Sequence, residues 1–105
     1  MKLFYGGSIM NLIYIYIYID KIQFEVFSIY SGRKNSILQN ELIIPKSFNI
    51  GDKLEYIRNF ISVVINQKKL EKAYLNIKDN LEIDTIKIEG ILEEVLASYG
   101  VEICN

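Results

Sequence analysis

Residues 13–20 read Ile13-Tyr14-Ile15-Tyr16-Ile17-Tyr18-Ile19-Asp20, and this stretch decides the fold. Its two residue types alternate with period two, the period of a strand, because successive side chains leave a strand on opposite faces. β-Branched and aromatic residues both favour a pleated backbone. Neither face is charged: isoleucines line one side and tyrosines the other. A strand apolar on both sides needs cover on both, which predicts a place in the middle of its sheet. The uninterrupted apolar run extends only from Leu12 to Ile19, because Gly6, Gly7, Ser8 and Asn11 break up what precedes it. That is far short of the ~20 residues a membrane helix needs. No small-residue cleavage site stands before Asp20, so the stretch does not read as a signal peptide.

Working outward, Asp20-Lys21 reads as a tight turn and Gln23–Tyr30 as a second strand, which so short a connection makes an antiparallel hairpin partner. Ser31-Gly32-Arg33-Lys34-Asn35 is the next predicted turn and Ile37–Ile44 the third strand, closed by Pro45 as an edge strand would be. The period then changes. Leu54, Ile57, Phe60, Ile61, Val64 and Ile65 fall on one face of a helix. Asp52 followed by Glu55 has the spacing of a capping box, and Lys68-Lys69 suit the negative end of the helix dipole. Ala73–Ile77 reads as a short strand, followed by a polar loop over residues 78–82. A second helix is predicted from Asp84 or Thr85, with Ile88, Ile91, Leu92, Val95 and Tyr99 on its apolar stripe and Gly100 as its left-handed cap. Val101-Glu102-Ile103 is a brief last strand.

The predicted order is therefore β-β-β-α-β-α-β. With right-handed crossovers it gives an α/β fold with a five-stranded mixed sheet of order 3-2-1-4-5. The first strand falls at the centre, where its two apolar faces require it. Residues 1–10 read as an N-terminal extension, Met1–Ile9 being loose and attributable to an upstream start codon, and 11–105 as a single domain. No internal repeat or linker is present.

Composition narrows the function. Of 105 residues, 50% are hydrophobic and 24% charged, with a net charge of −1, a globular balance without the field that would draw a polyanion to the whole molecule. The richness in Ile, Tyr, Lys and Asn is what AT-rich coding produces. Histidine is absent and Cys104 is the only cysteine. Serine–histidine or cysteine–histidine catalysis and imidazole-built zinc sites are thereby excluded, as is an internal disulfide. The lack of a disulfide framework fits a cytoplasmic protein.

The element order and the long first strand resemble the ribonuclease H-like superfamily, in its resolvase-like branch with the RuvC-type Holliday junction nucleases. The resemblance is carried by Ile17-Tyr18-Ile19-Asp20, the meander to Ile44, Ala73–Ile77, and Ile86-Lys87-Ile88-Glu89-Gly90-Ile91-Leu92 with the run on to Ile103. It covers nearly all of residues 11–103 as a divergent, truncated version of the pattern. It implies a nuclease whose carboxylates hold divalent metal, Mg²⁺ being suited to oxygen ligands. Asp20 matches the acid at the end of the family's first strand. Where the family has an acid on the fourth strand this chain has Asn76-Ile77-Lys78, with Asp79 following. The family's late acid-bearing helix has no counterpart before Asn105. Asp20, Asp79 and Glu89 are the candidate catalytic residues, with Asp84 near them at the carboxyl edge of the parallel strands. Each acid also has an ordinary role: Asp20 in a turn, Asp79 in a loop, Asp84 as a helix cap. Gly90 in mid-helix, beside Glu89, is explained by close helix–strand packing.

The row Tyr14, Tyr16, Tyr18 has the form of a base-stacking platform, but such platforms come with a basic groove and no Lys or Arg interleaves this row. The row therefore reads as a face covered by another element or by a second copy rather than as a stacking platform. Arg33-Lys34, Lys68-Lys69 and Glu93-Glu94 read as solvated charges. Gly6-Gly7 precedes the first strand, so no phosphate-binding loop follows a strand. Three readings stand. The first is a non-catalytic ribonuclease H-like domain acting through binding or self-association, without cofactor, as a homodimer using the tyrosine face. The second is a Mg²⁺-dependent nuclease using Asp20, Asp79 and Glu89. The third is a small immunity or adaptor protein of a mobile element.

Overall fold

The structure is a computed structural model, and it describes residues 9–79 and 81–104. Its elements are β1 (Met10–Ile17), β2 (Lys21–Tyr30), β3 (Arg33–Ile43), α1 (Ile50–Lys68), β4 (Lys72–Ile77), α2 (Ile83–Ser98) and β5 (Glu102–Cys104). They form one five-stranded sheet of order β3-β2-β1-β4-β5. β1 is antiparallel to β2 and parallel to β4, so the alternating Ile/Tyr strand is the centre of the sheet. The predicted α/β class and strand order are those observed. Among the described residues no helix is long and apolar enough to cross a membrane.

Several boundaries move for local reasons. β1 begins at Met10, paired with Ile29, one residue before the predicted start of the domain. The expected extension otherwise lies, but for Ile9, outside the described residues. β1 stops at Ile17 rather than Ile19, because the Tyr18 amide bonds back to the Lys21 carbonyl at 3.0 Å and closes the hairpin two residues early. The β2–β3 connection is the pair Ser31-Gly32, with φ of 51° and 77°, so β3 starts at Arg33 instead of Ile37. Positive φ at both central residues is the turn whose twist matches a hairpin, and glycine takes it without strain. The pairing register slips between Val26 and Phe27, leaving Ile37 as the extra residue of a bulge on the edge strand. α1 starts at Ile50: Asn49, not Asp52, is its cap, and the Asn49 Oδ1 accepts from the Asp52 amide at 2.8 Å. Tyr99, expected on the apolar stripe of α2, lies past the helix and is 45% exposed. Gly100 does take the left-handed conformation, at φ 77°.

The two faces of the sheet differ. Ile13, Ile15 and Ile17 are fully buried, flanked by Val26, Phe24 and Ile22 on β2 and by Ala73, Leu75 and Ile77 on β4. Both helices close over this face with Ile57, Ile61, Val64 and Ile65 from α1 and Ile88, Leu92, Val95 and Leu96 from α2. Each such side chain contributes about 1.5–3 kcal/mol of transfer free energy, so this layer holds the domain together. Asn11 ties its far end, donating from Nδ2 to the Lys68 carbonyl at the close of α1. On the other face Tyr14, Tyr16 and Tyr74 remain half-buried, and neither helix covers them.

Candidate functional site

Two places on the fold gather chemistry. The first is the carboxyl edge of the parallel strands, where β1 and β4 end side by side at Ile17 and Ile77. The two connections that leave this edge are tied together. The Lys78 amide donates to the Ile17 carbonyl at 2.8 Å, and the Ile19 amide donates to the Asp79 carboxylate at 2.9 Å. Asp20 follows immediately, exposed in the turn, its own carbonyl accepting from the Ile44 amide at 2.9 Å. Asp20 and Asp79 thus belong to one edge, as their sequence positions predicted.

The remaining acids do not complete the set. Asp84, in the first turn of α2, meets Lys53 of α1 at 3.3 Å, with the two side chains 35% and 15% exposed, so its charge is already balanced. Lys53 also lines, with Lys46, Pro45, Ile44 and Asp20, a hollow of about 290 Å³ at this edge. Glu89 is half-buried and lies about 7.5 Å further along the helix axis than Asp84, at 1.5 Å per residue. Among the described residues no three of Asp, Glu, His and Cys gather where they could hold a metal ion. A metal pair needs several converging oxygen ligands. One exposed aspartate, a second accepting a backbone hydrogen bond and two lysines do not fit that requirement.

The second place is the tyrosine face. Tyr14 of β1 and its register partner Tyr74 of β4 stack, with ring centroids 4.7 Å apart and planes 16° from parallel. Phe27 of β2 meets Tyr14 edge-on at 5.5 Å. Lysines reach these rings from neighbouring strands. The Lys34 ammonium lies 4.8 Å from the Tyr14 centroid and 4.5 Å from that of Phe27, and its Nζ donates to the Tyr14 hydroxyl at 3.3 Å. Lys78 stands 5.2 Å from the Tyr16 ring and Lys21 5.0 Å from that of Tyr18. Each pair is a cation–π contact. Three ammonium groups therefore stand against the tyrosines, two on β1 and one, Tyr18, in the connection just past it. Along β1 the row has no interleaved basic residue, as the sequence reads. The charges arrive sideways, from β2, β3 and the end of β4, and only the strand register could have revealed them.

Beside Tyr16 the same face sinks into a hollow of about 340 Å³ lined by Gln23, Glu25, Gln39, Asn40 and Glu41. At the β5 end, the Cys104 thiol and burial together raise the Tyr74 pKa above its ordinary value. The repulsion between a thiolate and a phenolate is the larger cause, and Tyr74 keeps its proton at neutral pH. Gly90 has a different setting from the one its sequence position suggested. A Cβ placed there meets nothing within 4 Å, so no strand packs closely against it.

No family model matches the chain, and no curated protein matches its sequence. Solved structures do match its fold. Thermus thermophilus RuvC in complex with Holliday junction substrate superposes with a TM-score of 0.77 at 12% identity, over 90% of this chain and 63% of that one. The human cytomegalovirus terminase nuclease domain gives 0.58 at 10% identity, over 92% of this chain and 46% of that one. The Aquifex aeolicus PPX-GPPA enzyme gives 0.59 at 17% identity, over 91% of this chain and 35% of that one. The chain thus spans under two thirds of the length of each, and identities this low speak to fold alone. The five-stranded mixed sheet of order 3-2-1-4-5, with RuvC and a terminase nuclease domain among its structural neighbours, gives this chain a ribonuclease H-like fold.

Proposed function

We propose that this domain binds single-stranded nucleic acid on its tyrosine face and does not cut it. The observation that carries the reading is the set of aromatic rings on a helix-free sheet face, each of Tyr14, Tyr16 and Tyr18 with a lysine ammonium against it. Bases stack on such rings whatever their sequence, and lysines beside them meet the phosphates. The amides and carboxylates of the hollow beside Tyr16 offer partners to base edges, which a single strand leaves exposed. The fold is one in which a structural neighbour, T. thermophilus RuvC, holds a Holliday junction. Absence of cleavage is supported at the carboxyl edge, where Lys53 balances Asp84 and the acids of the described residues do not converge.

A second reading, a Mg²⁺-dependent nuclease using Asp20, Asp79 and Glu89, is favoured by the bond from the Ile19 amide that holds Asp79 in the connection next to Asp20. One experiment separates the two. Fluorescence anisotropy with a labelled oligothymidine measures binding, and gel analysis of the same samples with Mg²⁺ or Mn²⁺ measures cleavage of single-stranded and branched DNA. Binding without cleavage is expected, weakened roughly 5- to 150-fold by Tyr14→Ala or Tyr16→Ala, as for a lost base stack. Metal-dependent cleavage abolished by Asp20→Asn would establish the second reading. Binding indifferent to both tyrosine substitutions would remove the first.

A further inference from the structure

The tyrosine face carries carboxylates as well as rings. Across the sheet from Tyr14 and Tyr16 the register sets Glu25 and Gln23 on β2, and beyond them Gln39 and Glu41 on β3. These four side chains and Tyr16 line the hollow of about 340 Å³, a volume within the range of small-ligand clefts. Glu41 is occupied by its neighbours: the Lys21 ammonium lies 3.9 Å from its carboxylate, and the Gln23 Nε2 donates to it at 3.4 Å. Glu25 is half-buried, and among the described residues no ion pair or side-chain hydrogen bond engages it. The same holds for the side-chain amide of its register partner, Gln39. A carboxylate without a cation repels phosphate, so on this face Glu25 suits the donating edge of a base and not the backbone.

We propose that this hollow selects guanine, with Glu25 setting the preference, an inference that rests on nucleic-acid binding at the tyrosine face. An ionised carboxylate only accepts, through two oxygens side by side. Guanine alone among the four bases presents two adjacent donors on its Watson–Crick edge, N1–H and the N2 amino group. These two donors meet the two oxygens of Glu25 in a bidentate pair, the stronger form of a charge-assisted hydrogen bond. Next to them guanine carries the acceptor O6, and the Gln39 amide beside Glu25 donates to it. The other bases turn an acceptor towards the same carboxylate: N1 of adenine, N3 of cytosine, or the carbonyls flanking N3–H of thymine. An acceptor facing an acceptor leaves both unpaired, which is the source of the discrimination. The purine ring lies against Tyr16, and Lys78, 5.2 Å from that ring, is placed for the adjoining phosphate.

Competition against a labelled oligothymidine, read by fluorescence anisotropy, tests the preference. The competitors are short oligothymidines whose central base is replaced by guanine, adenine, cytosine or hypoxanthine, the last being guanine without its N2 amino group. The guanine oligonucleotide is expected to bind about 5- to 150-fold more tightly than the unsubstituted one, the range of one good bidentate base contact. Hypoxanthine is expected to lose most of that gain, a comparison that needs no variant. In Glu25→Gln one of the two acceptors becomes a donor, so the ratio of guanine to thymine affinity falls towards one while the circular dichroism spectrum is kept. Tyrosine-dependent binding of oligothymidine with no preference for guanine overturns this inference alone. Absence of binding by every oligonucleotide overturns the nucleic-acid reading with it. A preference that hypoxanthine retains in full, or that survives Glu25→Gln, also overturns the proposal.

Discussion

The two faces of β1 give the most demanding prediction, because neighbouring residues on one strand should behave in opposite ways. Ile15 is fully buried between Phe24 and Leu75 beneath the helices. Ile15→Ala removes three carbons at about 0.8 kcal/mol each, and the cavity left in a packed layer brings the loss to about 3–4 kcal/mol. Tyr16, next in sequence, is half-buried on the open face, between Gln23 and Asn76 and against the Lys78 ammonium. Tyr16→Ala forfeits strand propensity and one exposed cation–π contact, together about 1–1.5 kcal/mol. Urea denaturation followed by far-UV circular dichroism reads both. With a slope of about 1–3 kcal/mol per molar urea, Ile15→Ala lowers the midpoint by about 1 M or more, and Tyr16→Ala by less than half of that at an unchanged slope. Equal losses would refute the reasoning, because they would mean that the tyrosine face is packed as tightly as the core and is unavailable to a ligand.

Three further outcomes follow from single contacts. Thr85, fully buried, accepts from the Glu82 amide at 3.0 Å and donates to the Glu82 carbonyl at 2.9 Å. Thr85→Val loses this cap, and a melting curve should show a destabilisation of about 1 kcal/mol. Asp79→Ala frees the Ile19 amide, so amide hydrogen exchange at Ile19 should accelerate while the strand amides of β1 keep their protection. Tyr74 holds its proton above the ordinary tyrosine range because of Cys104 and burial. Its contribution to stability is therefore full below that range and is lost as pH rises through the raised pKa. Ultraviolet titration should show one late phenol that moves to lower pH in Cys104→Ser, and an unmoved titration would contradict the assignment.

Much of the fold was legible because its strongest signal, the alternation over residues 13–19, is also its central strand. β1 is central as its two apolar faces suggested, although the cover expected on its tyrosine face is not supplied by either helix. The short β1–β2–β3 connections with the helix-period stretches gave the rest of the order. Boundaries were less legible because they depend on which backbone group finds a partner first. The bond from Tyr18 to Lys21 ended β1 early, and Asn49 took the cap that the Asp52–Glu55 spacing suggested. At the carboxyl edge, the nearness of Asp20 and Asp79 could be read from their places after two adjacent parallel strands. The Lys53–Asp84 pair could not, since it joins residues 31 apart in sequence on two different helices. The lysines of the tyrosine face were hidden for the same reason. Lys34 reaches Tyr14 from two strands away in the sheet, a proximity set by register and not by spacing. Gly90 was legible as unusual, but the close strand packing expected of it is absent.

Chemical-shift mapping distinguishes the tyrosine face from the carboxyl edge as the site of binding. A ¹H–¹⁵N spectrum of the labelled protein, titrated with an unlabelled single-stranded oligonucleotide, reports which face the ligand touches. Shifts are expected to concentrate at Tyr14, Tyr16, Tyr18, Phe27, Lys34 and Tyr74, attenuated by added salt as counterion release requires. Shifts confined to Asp20, Lys46 and Lys53 at the carboxyl edge, or none at saturating oligonucleotide, would contradict binding on the tyrosine face.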